Sequence, residues 1–202
     1  TVLKSETFYA GDESEEKADY TYNYNFDGTV IKTTTRFSYN PDGSLARSDT
    51  YREKDGTVAK SYTTYFGLEG EEKALATYTY DYAGAVIKTR TEFVYTGNLL
   101  TQSVTYRGET GFTKKSETSY TGAEGEEKAQ TTPNYNYAGD AIRTRTVFNY
   151  TAAVLTGSVT YKGETSTVMK SETYYTGAEA EEKADYTYNY SADGSKIKTT
   201  TK

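Results

Sequence analysis

The residues with the clearest capacity for chemistry are four clusters of glutamates that recur along the chain. The clusters are Glu13–Glu16, Glu69–Glu72, Glu124–Glu127 and Glu179–Glu182, each followed by Lys-Ala. Carboxylates grouped this closely are candidate ligands for a divalent cation. However, the chain contains no Asp-x-Asp-x-Asp-Gly loop, and the lysine after each cluster offsets part of its charge. We therefore interpret the clusters as solvated turns and expect no metal site.

Tyrosine offers a second kind of chemistry, because its ring can stack on a flat ligand such as a sugar. The chain has 23 tyrosines and no tryptophan. A structural role is favoured, since tyrosine combines a strong strand preference with a large apolar area. Ligand stacking remains the alternative. The residues that would carry it are Tyr22, Tyr24, Tyr78, Tyr80, Tyr82, Tyr135, Tyr137, Tyr188 and Tyr190.

Composition argues against several classes of function. Histidine and cysteine are both absent, which removes the commonest general base, the commonest transition-metal ligand and all thiolate chemistry. We expect no enzymatic activity, no catalytic residues and no cofactor. The net charge of −6 disfavours a nucleic-acid partner. No apolar run approaches the roughly 18 residues of a membrane-spanning helix, so we expect no membrane insertion.

The elements that position these residues belong to a tandem repeat. Glu-Glu-Lys-Ala recurs every 55 or 56 residues, and a Lys-Ser pair keeps the same spacing. This period divides the chain into units 1–56, 57–111, 112–166 and a partial unit, 167–202. A fixed period of this length is typical of units that stack and share one surface. We predict one repeat array, whose partners include adjoining repeats of the parent protein.

Each unit contains a predicted β-hairpin. In unit two, residues 76–82 and 85–95 alternate with period two around Ala83-Gly84, which is typical of strands joined by a two-residue turn. This turn predicts the pairs Tyr82–Ala85, Tyr80–Ile87, Tyr78–Thr89 and Ala76–Thr91. It places those residues, with Phe93 and Tyr95, on one aromatic face. It places the remaining strand residues on an opposite, charged face: Asp81, Thr79, Thr77, Lys88, Arg90 and Glu92.

Turn signals divide each unit into four strands. We predict an all-β fold: a tandem-repeat antiparallel meander of about 14 or 15 strands, forming an elongated single-layer or gently superhelical sheet. Leu, Ile, Val and Phe supply only 28 of 202 residues, so we expect the sheet to rely on tyrosine rather than on a thick core. Pro133 conflicts with the predicted strand pairing, because its missing N–H would remove a predicted backbone hydrogen bond to Thr144. Either that strand begins after Pro133 or the predicted register is wrong there.

The run Tyr78-Thr-Tyr-Asp-Tyr-Ala-Gly84, followed by Val86-Ile-Lys-Thr89, resembles the tyrosine–aspartate (YD, or Rhs-type) repeats of large surface and toxin proteins. Thr21–Gly28 and Tyr39–Gly43 are weaker matches. The resemblance implies a β-hairpin array acting as an extracellular or encapsulating scaffold. It covers about one hairpin in each unit.

These observations lead to a structural prediction of function. We expect a non-enzymatic spacer, stalk or fibre-like segment of a larger extracellular or cell-surface protein. The alternative is a module that binds a glycan or a protein through its tyrosines. A third possibility is an engineered, consensus-like chain, although the drift between units favours a natural origin.

Overall fold

The computed structural model describes residues 2–202, and all of its regular structure is β. The fifteen strands are β1 Ser5–Ala10, β2 Lys17–Tyr24, β3 Ile31–Tyr39, β4 Leu45–Arg52, β5 Val58–Phe66, β6 Lys73–Tyr80, β7 Ile87–Thr96, β8 Leu99–Arg107, β9 Lys114–Thr121, β10 Lys128–Tyr135, β11 Ile142–Thr151, β12 Val154–Lys162, β13 Met169–Thr176, β14 Lys183–Tyr190 and β15 Ile197–Thr201. In the part of the chain described, no helix is present that could span a membrane.

The strands form one open antiparallel sheet in which sequence order and spatial order coincide. Each complete 55-residue repeat supplies four strands, and the partial repeat supplies β13, β14 and β15. The predicted all-β meander is therefore confirmed, as is the predicted number of strands. Contacts between Cα atoms group the residues into two compact units. One contains residues up to Phe93 with Tyr106–Gly111, and the other contains Val94–Thr105 with Phe112–Lys202.

The interior of the sheet is unusually polar. In residues 2–202 the buried apolar side chains are Ala76, Val104 and Val159. Buried polar side chains outnumber them: Thr34, Ser44, Ser48, Arg90, Ser103, Thr144 and Ser158. A single sheet has no second layer against which to build an apolar core, so half-buried rings and hydroxyls fill that role. This agrees with the expectation drawn from the low aliphatic content.

The predicted hairpin register is correct only for the pair Tyr80–Ile87 and is wrong along the strands. Tyr80 pairs with Ile87 as expected, but a β-bulge follows, so that Tyr78 faces Arg90 and Thr77 faces Thr91. The predicted pairs Tyr78–Thr89 and Ala76–Thr91 do not form. Because a shift of one residue moves every side chain to the other face, the bulge reverses the faces of the returning strand. Arg90 and Glu92 therefore share a face with Tyr78 and Ala76.

The connection itself also differs from the predicted two-residue turn. Asp81 and Val86 close a wider loop through an N–H···O bond of 2.8 Å, and the Gly84 N–H donates to the Asp81 carbonyl at 3.1 Å. The predicted pair Tyr82–Ala85 lies inside this loop and does not form a ladder pair. The loop and its following bulge recur in the other hairpins of this type, at Tyr24, Tyr135 and Tyr190.

The equivalent bulge between β10 and β11 resolves the conflict at Pro133. This residue lies inside β10 opposite Arg145, and Thr144 pairs with Asn134 instead. The predicted register was therefore wrong at this point, and the strand does not begin after the proline.

The two faces of the sheet have distinct chemistry. We call the side carrying Phe8, Tyr20, Tyr62, Tyr78, Tyr174 and Tyr186 the tyrosine face. The opposite side, the threonine face, carries pairs of threonine hydroxyls that hydrogen-bond across neighbouring strands at 2.8–3.0 Å. The pairs are Thr7–Thr21, Thr35–Thr50 and Thr63–Thr77 in one compact unit, and Thr118–Thr132, Thr146–Thr160 and Thr173–Thr187 in the other. Such cross-strand pairs are typical stabilising contacts of antiparallel sheets.

Candidate functional site

Stacked aromatic rings are the main feature of the tyrosine face. Tyr62 on β5 stacks on Tyr78 of β6, with ring centroids 4.4 Å apart and planes 10° apart. Tyr80 lies beside this pair at 6.2 Å from Tyr62. The guanidinium of Arg47 covers the Tyr62 ring at 3.8 Å from its centroid. The faces of these rings are therefore in contact with one another and with a cation, through aromatic stacking and a cation–π interaction.

Two other repeats contain a closely similar cluster. Phe8 stacks on Tyr20 at 4.6 Å, and Tyr174 stacks on Tyr186 at 4.7 Å. A third ring, Tyr22 or Tyr188, stands against each stack at 71° or 75° to the first ring. The equivalence follows from the sequence, because β2 and β14 both read Lys-Ala-Asp-Tyr-Thr-Tyr-Asn-Tyr.

The third repeat replaces the aromatic cluster by polar contacts. Ser119 and Thr131 occupy the positions of Tyr174 and Tyr186, and their hydroxyls hydrogen-bond at 2.9 Å. Glu117 accepts hydrogen bonds from the Gln102 amide at 2.7 Å and from the Lys114 ammonium at 2.6 Å. The tyrosine face is thus not a uniform aromatic surface along the chain.

Tyrosine hydroxyls at the ends of the clusters form hydrogen bonds with glutamate carboxylates. The Tyr24 hydroxyl donates to Glu6 at 3.1 Å, and the Tyr190 hydroxyl donates to Glu172 at 3.1 Å. The pKa of both tyrosines is raised. The larger cause is partial burial of the hydroxyl, and the second is its hydrogen bond to the carboxylate. These hydrogen bonds hold each hydroxyl against a glutamate of the neighbouring strand.

The nine tyrosines predicted as candidate ligand-stacking residues fall into two groups. Seven are half-buried within strands: Tyr22, Tyr24, Tyr78, Tyr80, Tyr135, Tyr188 and Tyr190. Tyr82 and Tyr137 lie in the loops after β6 and β10 and are 87% and 86% exposed. Phe26, which sequence reasoning missed, occupies the equivalent loop and is 91% exposed. These three rings are 56 and 55 residues apart, so the repeat period of the sequence could have identified them as equivalent.

A cation lies close to two of these exposed rings. The Lys4 ammonium lies 4.5 Å from the centroid of Phe26 and donates to the Phe26 carbonyl at 2.8 Å. The Arg52 guanidinium lies 5.0 Å from the centroid of Tyr82. Phe26 and Tyr82 therefore each have a positive charge close to the ring.

Short polar side chains hold the loops that carry these rings. The Asp81 carboxylate accepts the N–H of Ala85 at 2.9 Å and that of Val86 at 3.3 Å. These hydrogen bonds lower the pKa of Asp81. In the first hairpin, the Asn25 side-chain oxygen accepts the N–H groups of Thr29 and Val30 in the same way.

The last glutamate of each acidic loop makes a recurring long-range contact. The Glu72 carboxylate, between β5 and β6, accepts the N–H of Leu45 at the start of β4 at 2.7 Å. Its other oxygen accepts the Gly70 N–H at 2.9 Å. These backbone donors lower the pKa of Glu72. Glu127 and Glu182 bind the N–H groups of Leu100 and Leu155 at 3.0 and 2.9 Å.

The first glutamate and the lysine of the motif also connect successive repeats. The Lys17 ammonium lies 2.7 Å from the Glu69 carboxylate and donates to the Gly43 carbonyl at 2.6 Å. Lys128 and Glu179 repeat the ion pair at 2.6 Å, and the hydrogen bond to Glu179 raises the pKa of Lys128. The interpretation of these clusters as solvated turns was therefore incomplete, because their first and last glutamates contact the preceding repeat.

The acidic clusters do not converge on a common centre. Within residues 2–202, no group of three or more histidine, cysteine or acidic side chains is arranged to hold a metal ion. The carboxylates point instead to backbone N–H groups and to lysines.

Comparison with known proteins gives limited information. No protein-family model and no curated protein sequence matches the chain. Among solved structures, the chain is similar to the crystal structure of TcdB2-TccC3-TEV, with a TM-score of 0.26 and 10% sequence identity. The match covers 98% of this chain and 14% of that chain, so this chain corresponds to a small part of its length. A similarity this weak assigns neither a fold nor a function.

Proposed function

We propose that this chain is a non-enzymatic structural segment, acting as a spacer, stalk or fibre-like region of a larger extracellular or cell-surface protein. The observation that carries the proposal is the recurring bond between an acidic loop and the preceding repeat. Glu72, Glu127 and Glu182 each reach the backbone N–H of a leucine 27 residues earlier in the sequence. In a repeat array, contacts that join successive repeats at equivalent positions couple the stability of each unit to that of its neighbour.

The use of polar groups supports the same proposal. Threonine hydroxyls pair with each other, tyrosine rings stack on each other, and loop carboxylates bind backbone N–H groups. These polar and aromatic groups are thus engaged with neighbouring strands and loops. The segment with YD-like sequence, Tyr78–Gly84, forms the end of β6 and its loop, so the resemblance falls on a structural hairpin.

Two measurements on the purified chain test the proposal. Small-angle scattering is expected to give a maximum dimension well above that of a compact globule of 202 residues. Circular dichroism of a truncation series tests the coupling between repeats. The isolated unit 57–111 is expected to be largely unfolded, and three units are expected to fold cooperatively. A compact particle, or a single unit with full strand signal, would contradict the proposal.

A second candidate function, binding of a glycan or a protein, is favoured by the exposed loop rings. Phe26, Tyr82 and Tyr137 stand at equivalent positions and are 86–91% exposed. Rings that recur every 55 or 56 residues of the sequence would bind a repetitive ligand with an avidity that grows with repeat number. A glycan array probed with the full chain and with the double variant Tyr82→Ala/Tyr137→Ala tests this function. Loss of a signal in the alanine variant, with retention in the matched phenylalanine variant, would support binding.

A further inference from the structure

One position of the tyrosine face carries a different side chain on each of three equivalent strands. Arg47, Gln102 and Gly157 are 55 residues apart and lie within β4, β8 and β12. The Arg47 guanidinium lies 3.8 Å from the centroid of Tyr62 and donates hydrogen bonds to the Asp49 carboxylate. On β4, this position therefore holds a cation in contact with both a carboxylate and an aromatic ring.

On β8, the equivalent position supports a carboxylate of the neighbouring strand. The Gln102 amide donates to one oxygen of Glu117 at 2.7 Å. The Lys114 ammonium donates to the other oxygen of Glu117 at 2.6 Å. Glu117 therefore has two nitrogen donors, one of which carries a positive charge.

Both nitrogen donors are replaced 55 residues later, whereas the carboxylate is retained as Glu172. Gly157 stands in place of the glutamine, and Met169 stands in place of the lysine. Within residues 2–202, Glu172 forms no ion pair with a lysine or an arginine, and the Tyr190 hydroxyl donates to it at 3.1 Å. Hydrogen bonding to the same carboxylate raises the pKa of Tyr174. Glu172 is therefore a half-buried carboxylate that contacts tyrosine hydroxyls and lacks the cation of its counterpart on β9.

The surface above Gly157 has room for a cation beside this carboxylate. A Cβ built on Gly157 would make only ordinary contacts, at 3.6 Å from the Thr173 carbonyl oxygen and 3.7 Å from the Asn149 amide nitrogen. Gly157 pairs directly with Tyr174 on β13, and Glu172 lies two residues before Tyr174 on the same face of that strand. Such diagonal neighbours are within reach of a long side chain. A glycine inside a strand often marks a place that a ligand approaches closely.

We propose that Gly157, Glu172 and Tyr174 form a binding site for a guanidinium group, supplied by an arginine side chain of a partner protein. The guanidinium would lie over Gly157, donate to the Glu172 carboxylate and face the Tyr174 ring. It would thereby reproduce the contacts of Arg47 with its own carboxylate and ring. Arginine fits better than lysine, because its planar group can bind a carboxylate and stack on a ring at the same time. The proposal goes beyond the scaffold function and does not depend on it.

The experiment titrates the full chain, labelled with nitrogen-15, with acetyl-arginine amide and follows the backbone amides by NMR. The amides of Gly157 and Tyr174 are expected to shift in a saturable way, with a dissociation constant of about 1–10 mM for this single side chain. Acetyl-citrulline amide has a side chain of the same shape without the charge, and it should cause no saturable shift. Acetyl-lysine amide should bind at least about threefold more weakly than the arginine probe.

Variants then assign the binding to this site. Glu172→Gln should abolish the saturable shifts, whereas the matched control Glu117→Gln should leave them unchanged, because the Glu117 carboxylate already binds Lys114 and Gln102. Gly157→Arg should also abolish binding of the probe and should have a higher Tm than Gly157→Met. This difference in Tm should disappear when each is combined with Glu172→Gln. Shifts that do not saturate, shifts that survive Glu172→Gln, or equal binding of the lysine probe would overturn the proposal.

Discussion

Gly84 in the loop between β6 and β7 offers the sharpest test of how successive strands pack. Its φ is +74°, and a Cβ built on it would lie 2.7 Å from the backbone nitrogen and 2.9 Å from the backbone oxygen of Ala59. The loop therefore rests directly on the beginning of β5. Replacement of Gly84 by alanine would both strain the loop and force these two backbones apart.

Gly70 in the acidic loop provides a control for the strain alone. Its φ is +82°, and a Cβ built there would meet no atom within 4 Å. The chain already tolerates a side chain at the equivalent position, because Ala180 adopts φ +65° in the fourth repeat. Gly70→Ala should therefore cost about 1 kcal/mol, the usual penalty of a left-handed backbone for alanine. Gly84→Ala should cost about 2–4 kcal/mol, since displacement of packed backbone adds to the same penalty.

Thermal unfolding followed by circular dichroism compares the two variants. For a chain of this length, 1 kcal/mol corresponds to a shift in Tm of about 2–4 °C. Gly84→Ala is thus expected to lower Tm by about 4–16 °C, and Gly70→Ala by about 2–4 °C. Equal shifts would mean that the loop does not pack on β5 as described. A larger shift for Gly70→Ala would refute the reasoning altogether.

Three other predictions concern side-chain contacts. In a double-mutant cycle of Tyr62→Leu and Tyr78→Leu, chemical denaturation should give a coupling free energy of about 0.5–1.5 kcal/mol, and a value near zero would argue against the stack. Glu72→Gln should lower Tm more than Glu71→Gln at neutral pH. The pKa of Glu72 in the folded state is lowered from 4.5, so the ionised carboxylate stabilises the fold fully above about pH 4.5. This stabilisation is lost as the pH falls through the lowered pKa. A Tm difference between the two variants that persists in acid would contradict this. The Asp193 carboxyl accepts hydrogen bonds from Ser191 and Ser195, and NMR titration should give it a pKa of about 2. A pKa near the usual aspartate value of 3.8 would show that these hydrogen bonds do not form in solution.

The general architecture could be predicted because it depends on regular patterns. The 55-residue period fixed the equivalence of positions such as Glu72, Glu127 and Glu182, and alternation within each unit located the strands. Both signals repeat several times, so an error in one unit is corrected by the others. The tyrosine-based, polar interior followed from the scarcity of aliphatic residues.

The register could not be predicted because it depends on one extra residue. The sequence 82–88 permits either a two-residue turn or a wider loop followed by a bulge. The difference lies in contacts that only three-dimensional structure reveals, namely the bonds of the Asp81 side chain to Ala85 and Val86. Asp81, placed by sequence on the charged face, in fact holds the loop. The position of Pro133 was the one sequence signal that the register was wrong.

The acidic motif shows why a group of similar charges should be considered residue by residue. The Lys17–Glu69 pair leaves 30% of the lysine and 60% of the glutamate side chain exposed, and ion pairs of this kind contribute at most about 1 kcal/mol. The Glu72 carboxylate binds two backbone N–H groups in a fixed direction, and it has equivalents in two further repeats. The Glu71 backbone N–H donates to the Leu68 carbonyl at 2.9 Å, within the same loop. The last glutamate is therefore the residue that sets how each acidic loop meets the preceding repeat, and the ion pair is secondary. Because a directed bond to one N–H tolerates no slip of the strand, the motif fixes the register between repeats more than it adds to their stability.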